Sequence, residues 1–114
     1  MTEVKITNVP GYCRVQIKGH AGYGFNHHLP AGNDIVCAAI SMLGQTVAQR
    51  ILQMSEEKKL GINELTVKEA LIDIKVVPKA AYRNELDVTI KTIVTGFELL
   101  AKAHPSYINL GWEI

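Results

Sequence analysis

The chain reads as an α+β domain of two layers, a twisted sheet of about five strands with two helices, in the order ββαββαβ. Three observations predict it. Short segments alternate apolar and polar residues, the mark of half-buried strands. Two longer segments, near 35–57 and 85–103, repeat apolar residues at the spacing of a helix face. Glycine and proline punctuate the joins between most of these segments.

The first strand covers Thr2–Thr7, with Val4 and Ile6 set against Glu3, Lys5 and Thr7. Asn8-Val9-Pro10-Gly11 is a turn, and Tyr12–Lys18 alternates again with Cys13, Val15 and Ile17 inward. This hairpin delivers His20 to its end. A loop from Ala21 to Asn33 follows, containing Gly22, Gly24, Gly32 and Pro30. Its position between two chemically able residues favours a substrate-facing lid over a mere connector.

The first helix is expected from Ile35 to about Glu57, capped by Asp34, with Val36, Ile40, Leu43, Val47, Ile51 and Met54 as its core stripe. A second stripe of small residues, Cys37, Ser41, Gly44 and Ala48, allows another element to approach closely. Lys58-Lys59-Leu60-Gly61 should close the helix, with Gly61 as its left-handed residue. Ile62–Val77 reads as two strands with a weakly marked turn near Lys68-Glu69-Ala70. The second helix is expected from Glu85 to Ala103, capped by Asn84, and Gly96 inside it implies a close packing contact. Pro105 stops it, and Tyr107–Ile114 is the last strand.

At 114 residues the chain fits one domain, 1–114, able to bury a core without staples. A net charge of +1 with scattered Lys and Arg gives no case for direct nucleic-acid binding. No long apolar run or signal-peptide core is evident, so a cytoplasmic protein without a membrane partner is expected. In a reducing compartment Cys13 and Cys37 should stay unpaired, Cys13 as a small core residue.

Cys37 falls at the third position of the helix begun by Asp34, where unpaired backbone N–H groups favour a thiolate. Against this stands the commonness of buried, inert cysteines, and the two readings balance. His20 is a candidate base, although a solvated strand-end histidine is the commoner case. Asp34 is first a cap; as a neighbouring carboxylate it would oppose ionisation of the thiol, and it has also the option of orienting His20. Ser41, one turn after Cys37, is a supporting residue. Backbone N–H groups near Asp34–Cys37 are the expected oxyanion donors. His27 and His28 lack a metal-ligand spacing, so neither a metal nor another cofactor is expected.

Gly19-His20-Ala21 and the run from Gly32 through Asp34-Ile35-Val36-Cys37-Ala38 to Ser41 resemble the ribosomal-processing cysteine protease (Prp) family. The shared pattern is a Gly-His-Ala segment followed by a glycine, an aspartate two places on, two aliphatic residues, Cys-Ala, and a serine four places after the cysteine. The resemblance implies a cytoplasmic cysteine endopeptidase with His20 and Cys37 as its catalytic pair. Gly19, Asp34 and Ser41 would support them, and Gly22, Tyr23, Gly24, Phe25, Leu29 and Gly32 would form the substrate loop. That loop is longer than the family pattern through Phe25–Pro30. The resemblance implies a protein substrate, namely the N-terminal extension of a large-subunit ribosomal protein or, for phage members, a head or scaffold protein. It implies a homodimer as well, with helix two or the last strand as candidate interface. A non-catalytic ribosome-associated binding module and a metal-binding protein using the histidine loop are the competing classes.

Overall fold

The computed structural model describes residues 1–20, 22, 24, 27, 28 and 34–114. Strands β1 (Thr2–Val9) and β2 (Tyr12–Lys18) form the predicted hairpin. Its two-residue turn uses Pro10 for a fixed φ and Gly11 at φ 102, the positive value that a type II turn requires. Helix α1 runs Ile35–Glu56, β3 Leu60–Lys68 and β4 Leu71–Pro78. After a 3₁₀ turn at Ala80–Tyr82, α2 covers Arg83–Ala103 and β5 covers Ile108–Glu113.

The sheet order is β3-β4-β2-β1-β5, antiparallel throughout except for the parallel β1–β5 pair. Register places like residues in rows on one face. Leu110, Val4, Ile17, Ile72 and Val67 form one row; Trp112, Ile6, Val15, Ile74 and Leu65 form the next. Both helices lay their buried stripes on this face, and Val4, Ile6, Val15 and Ile74 lose nearly all solvent contact. A single core results. The helices cover each edge strand only at one end, where Leu60 and Ile108 are buried, so Leu65, Val67 and Trp112 remain exposed on an otherwise buried face.

Glycines set the spacing of the layers. A Cβ on Gly44 would stand 2.6 Å from Ile72 Cδ1 and 2.9 Å from Ile17 Cδ1, so α1 descends onto β2 and β4 there. A Cβ on Gly96 would meet Leu43 Cδ2 at 2.8 Å, which is the close helix–helix contact the sequence implied. By length and hydropathy α1 would also cross a membrane, but its apolar stripe is occupied by the sheet.

Three expectations need correction. The left-handed residue ending α1 is Lys58 at φ 61, not Gly61, which lies within β3. Lys59 N–H reaches Met54 O and Lys58 N–H reaches Ser55 O, the two bonds of a Schellman motif. Asn84 is not the cap of α2; the preceding 3₁₀ turn starts the helix earlier, Tyr82 holds the cap position, and Asn84 lies in the first turn. The β3–β4 turn lies where expected, at Glu69-Ala70, with Ala70 at φ 57. Finally, β1 extends to Val9, because Asn8 and Val9 continue the ladder opposite Cys13 and Tyr12.

Candidate active site

Asp34 begins the site. Its backbone is extended, and its Oδ1 accepts the N–H of Cys37 at 2.8 Å, which fixes Cys37 at the third position of α1. Its Oδ2 accepts the N–H of Gly24 at 2.9 Å, so the same carboxylate ties the loop to the helix. Partial burial pushes the Asp34 carboxyl up, but N–H bonds from Gly24, Cys37 and Val36 and the nearby His20 outweigh it. The net shift is downward, and the group is ionised at neutral pH.

Cys37 is half-buried and unpaired. Burial pushes its thiol up, and the Asp34 carboxylate adds to the shift. The acidification expected from the helix terminus is opposed, as the sequence anticipated, by the full negative charge that Asp34 supplies within the first turn. Of the expected oxyanion donors, the N–H groups of Val36 and Cys37 are engaged by the Asp34 side chain. Asp34 thus acts as the cap, one of the alternatives the sequence left open.

His20 is delivered by Gly19, which ends β2 at φ 92, where a Cβ would stand 3.1 Å from Met1 O. Gly19 N–H donates to Ala70 O at 2.9 Å, and Gly19 O accepts from Thr2 Oγ1 at 3.3 Å. The exit of β2 is therefore pinned between the start of β1 and the β3–β4 turn.

These elements enclose a cavity of about 420 Å³ lined by His20 and Cys37, by Gly19, Ser41 and Gln45, and by the turn Lys68-Glu69-Ala70. Ile17, Ile40 and Ile72 give it an apolar floor. His20, Cys37, Gly19 and Ser41 are brought to one place, with Asp34 behind Cys37. Of the substrate-loop residues, Gly22 and Gly24 are described, while Tyr23, Phe25, Leu29 and Gly32 lie outside the described residues. The lid reading of 21–33 falls largely there too. His27 stands by Tyr107, ring centroids 6.1 Å apart. Among the described residues no three His, Cys, Asp or Glu side chains converge as metal ligands. The wall formed by 68–70 was missed from sequence, since only the pairing of β4 with β2 brings it to Gly19.

The family model of cysteine protease Prp matches residues 1–109. The chain belongs to this family. It is a cysteine protease, and the match runs through β1, the candidate site and both helices. Comparison with curated proteins gives no significant match. Among solved structures, the chain is similar to the essential ribosomal processing protease Prp from S. aureus with a covalently linked product peptide. That likeness has a TM-score of 0.73 at 22% identity, covering 99% of this chain and 100% of that one. The same protease with a substrate peptide gives 0.67 at 19% identity, with 99% and 100% covered. SMU.848 from Streptococcus mutans gives 0.65 at 19% identity, over 98% and 93%. The Prp fold is thus shared over nearly the whole chain.

Proposed function

We propose that this Prp-family chain is an endopeptidase in which Cys37 is the nucleophile and His20 the base. The observation that carries the assignment is the shared cavity: His20 and Cys37 line it together, Cys37 held through its N–H by Asp34 and His20 following Gly19, which is bonded to Ala70. Because Cys37 is held toward the thiol form, its proton leaves as attack begins. His20 takes that proton while sulfur bonds to the scissile carbonyl carbon. Collapse of the tetrahedral intermediate breaks the C–N bond, and His20 returns the proton to the leaving amine. Water then attacks the thioester, giving its proton to His20, and the acid product departs as the thiol is restored.

The substrate is proposed to be the N-terminal extension of a large-subunit ribosomal protein, cleaved in the cytoplasm. Support comes from family membership and from the fold shared with a ribosomal processing protease. A homodimer is proposed to form through α2 and β5, where Leu99 and Trp112 stand exposed side by side.

The test is to incubate the protein with the ribosomal precursor and map the products by mass spectrometry. One cut within the extension is expected, lost in Cys37→Ala and reduced by about a hundredfold or more in His20→Ala. Cleavage retained in Cys37→Ala would refute the assignment.

A further inference from the structure

The catalytic cavity does not end at Cys37. A second cavity, of about 1100 Å³, passes over α1, and Gln45 and Val67 line both. The two therefore adjoin at these residues, on the flank of α1 that faces β3. The close seating of Gly44 explains why this flank is open. It fixes α1 above β2 and β4, so the outermost strand β3 is covered at Leu60 but left open from Leu65 to Val67. Leu65 and Val67 pair with the buried Ile74 and Ile72 and point to the helix-bearing face, yet remain 39% and 50% exposed.

Beside them the helix presents Gln45, Gln49 and Leu52. The result is a trough with an aliphatic floor and amide-bearing walls. Its β3 side carries no charged lining residue except Lys68 and Glu69 at the Cys37 end. Between Cys37 and Gln49 the helix rises about 18 Å, the span of about five residues of extended peptide. Glutamine amides both donate and accept, which suits a peptide backbone, and Leu65 and Val67 suit aliphatic side chains on alternate residues.

We propose that this trough binds the substrate polypeptide beyond the scissile bond, selecting an extended, uncharged segment about five residues long on one side of the cut. The proposal rests on the assignment of Cys37 as the attacking group, since it takes the trough as a continuation of that cavity. Recognition there would raise kcat/KM through KM, because Leu65 touches no reacting atom.

The experiment uses a peptide of eight residues centred on the mapped cleavage site and two longer versions. Each carries Leu-Thr-Leu-Thr-Leu on one side or the other. Wild-type kcat/KM should rise about tenfold for one of the two extensions. In Leu65→Gln the ratio of long to short should fall toward one, and Leu65→Met should restore it. Anisotropy of the same labelled peptides on Cys37→Ala protein reads the ladder without turnover, so failure of the nucleophile assignment leaves it measurable. Equal affinity for all three peptides would overturn the proposal. So would an equal loss on short and long peptides in Leu65→Gln. Conversion of a dimer to a monomer by that variant would assign the trough to a second copy, and likewise overturn it.

Discussion

Asp34 both builds the helix end that carries Cys37 and opposes ionisation of its sulfur. The two effects come from one carboxylate, and a neutral isostere separates them. In Asp34→Asn the amide oxygen can still accept the Cys37 N–H, while the charge that raises the thiol is gone. The apparent pKa of Cys37 should fall, and alkylation by iodoacetamide at neutral pH should quicken; an unchanged pH–rate profile would contradict this account. Gly24 N–H loses its charged acceptor in the same variant, so a cost of about 1 kcal/mol in stability is expected. Cys13 behaves otherwise. It is 1% exposed, and burial, opposed by the Arg83 charge and reinforced by the Asp87 carboxylate, pushes its thiol up to about 12. Iodoacetamide should therefore label Cys37 first in the native protein, and peptide mapping that found Cys13 labelled first would reverse the two readings.

At the scale of elements, β2, α1 and the β3–β4 turn are held in register by contacts that small changes would disturb. In Gly44→Ala the new methyl would meet Ile72 and Ile17, both of which floor the catalytic cavity. Overpacking there should cost about 1–3 kcal/mol and lower kcat/KM, measured by thermal melts and peptide cleavage. Lys58→Gly should act in the opposite direction. Lys58 carries the left-handed conformation of the Schellman motif, and glycine there should stabilise by up to about 1 kcal/mol. Lys58 shows why the end of α1 was misread: Gly61 is the better left-handed residue by chemistry, but the backbone reverses three residues earlier so that Leu60 can enter the core. The strands and the two apolar stripes were legible because their periods are local. The Glu69-Ala70 turn was only weakly marked, with no glycine or asparagine in it, and its bond to Gly19 was not legible because it spans the fold. The sequence also placed Cys37 correctly on α1 and set the nearer carboxylate against the helix terminus. Strand order, on which the third wall of the cavity depends, has no local signature.

Across the whole molecule, the carboxylates set the response to acid. Asp73 is held below its usual range first by its hydrogen bonds from Arg14, at 2.8 and 3.0 Å, and Glu85 first by Lys59. Asp34 is lowered as well. A carboxyl with a lower pKa folded than unfolded contributes stability that is full above the unfolded value and lost as pH falls through the folded one. Melting temperature should thus hold steady from neutral pH to about 5 and decline below about 4. Asp73→Asn should flatten part of that decline, and an unaltered slope would show that this pair adds nothing. The proposed dimer has its own test at this scale. Leu99→Glu places a charge on the exposed face of α2 and should shift sedimentation from dimer to monomer without altering the fold. The central claim, that Cys37 attacks the scissile carbonyl, is most directly tested by acid quench during turnover of the ribosomal precursor. Mass mapping should find the acyl fragment as a thioester on the peptide that contains Cys37, with no such adduct in Cys37→Ala. An adduct on Cys13, or turnover that persists in Cys37→Ala, would contradict it.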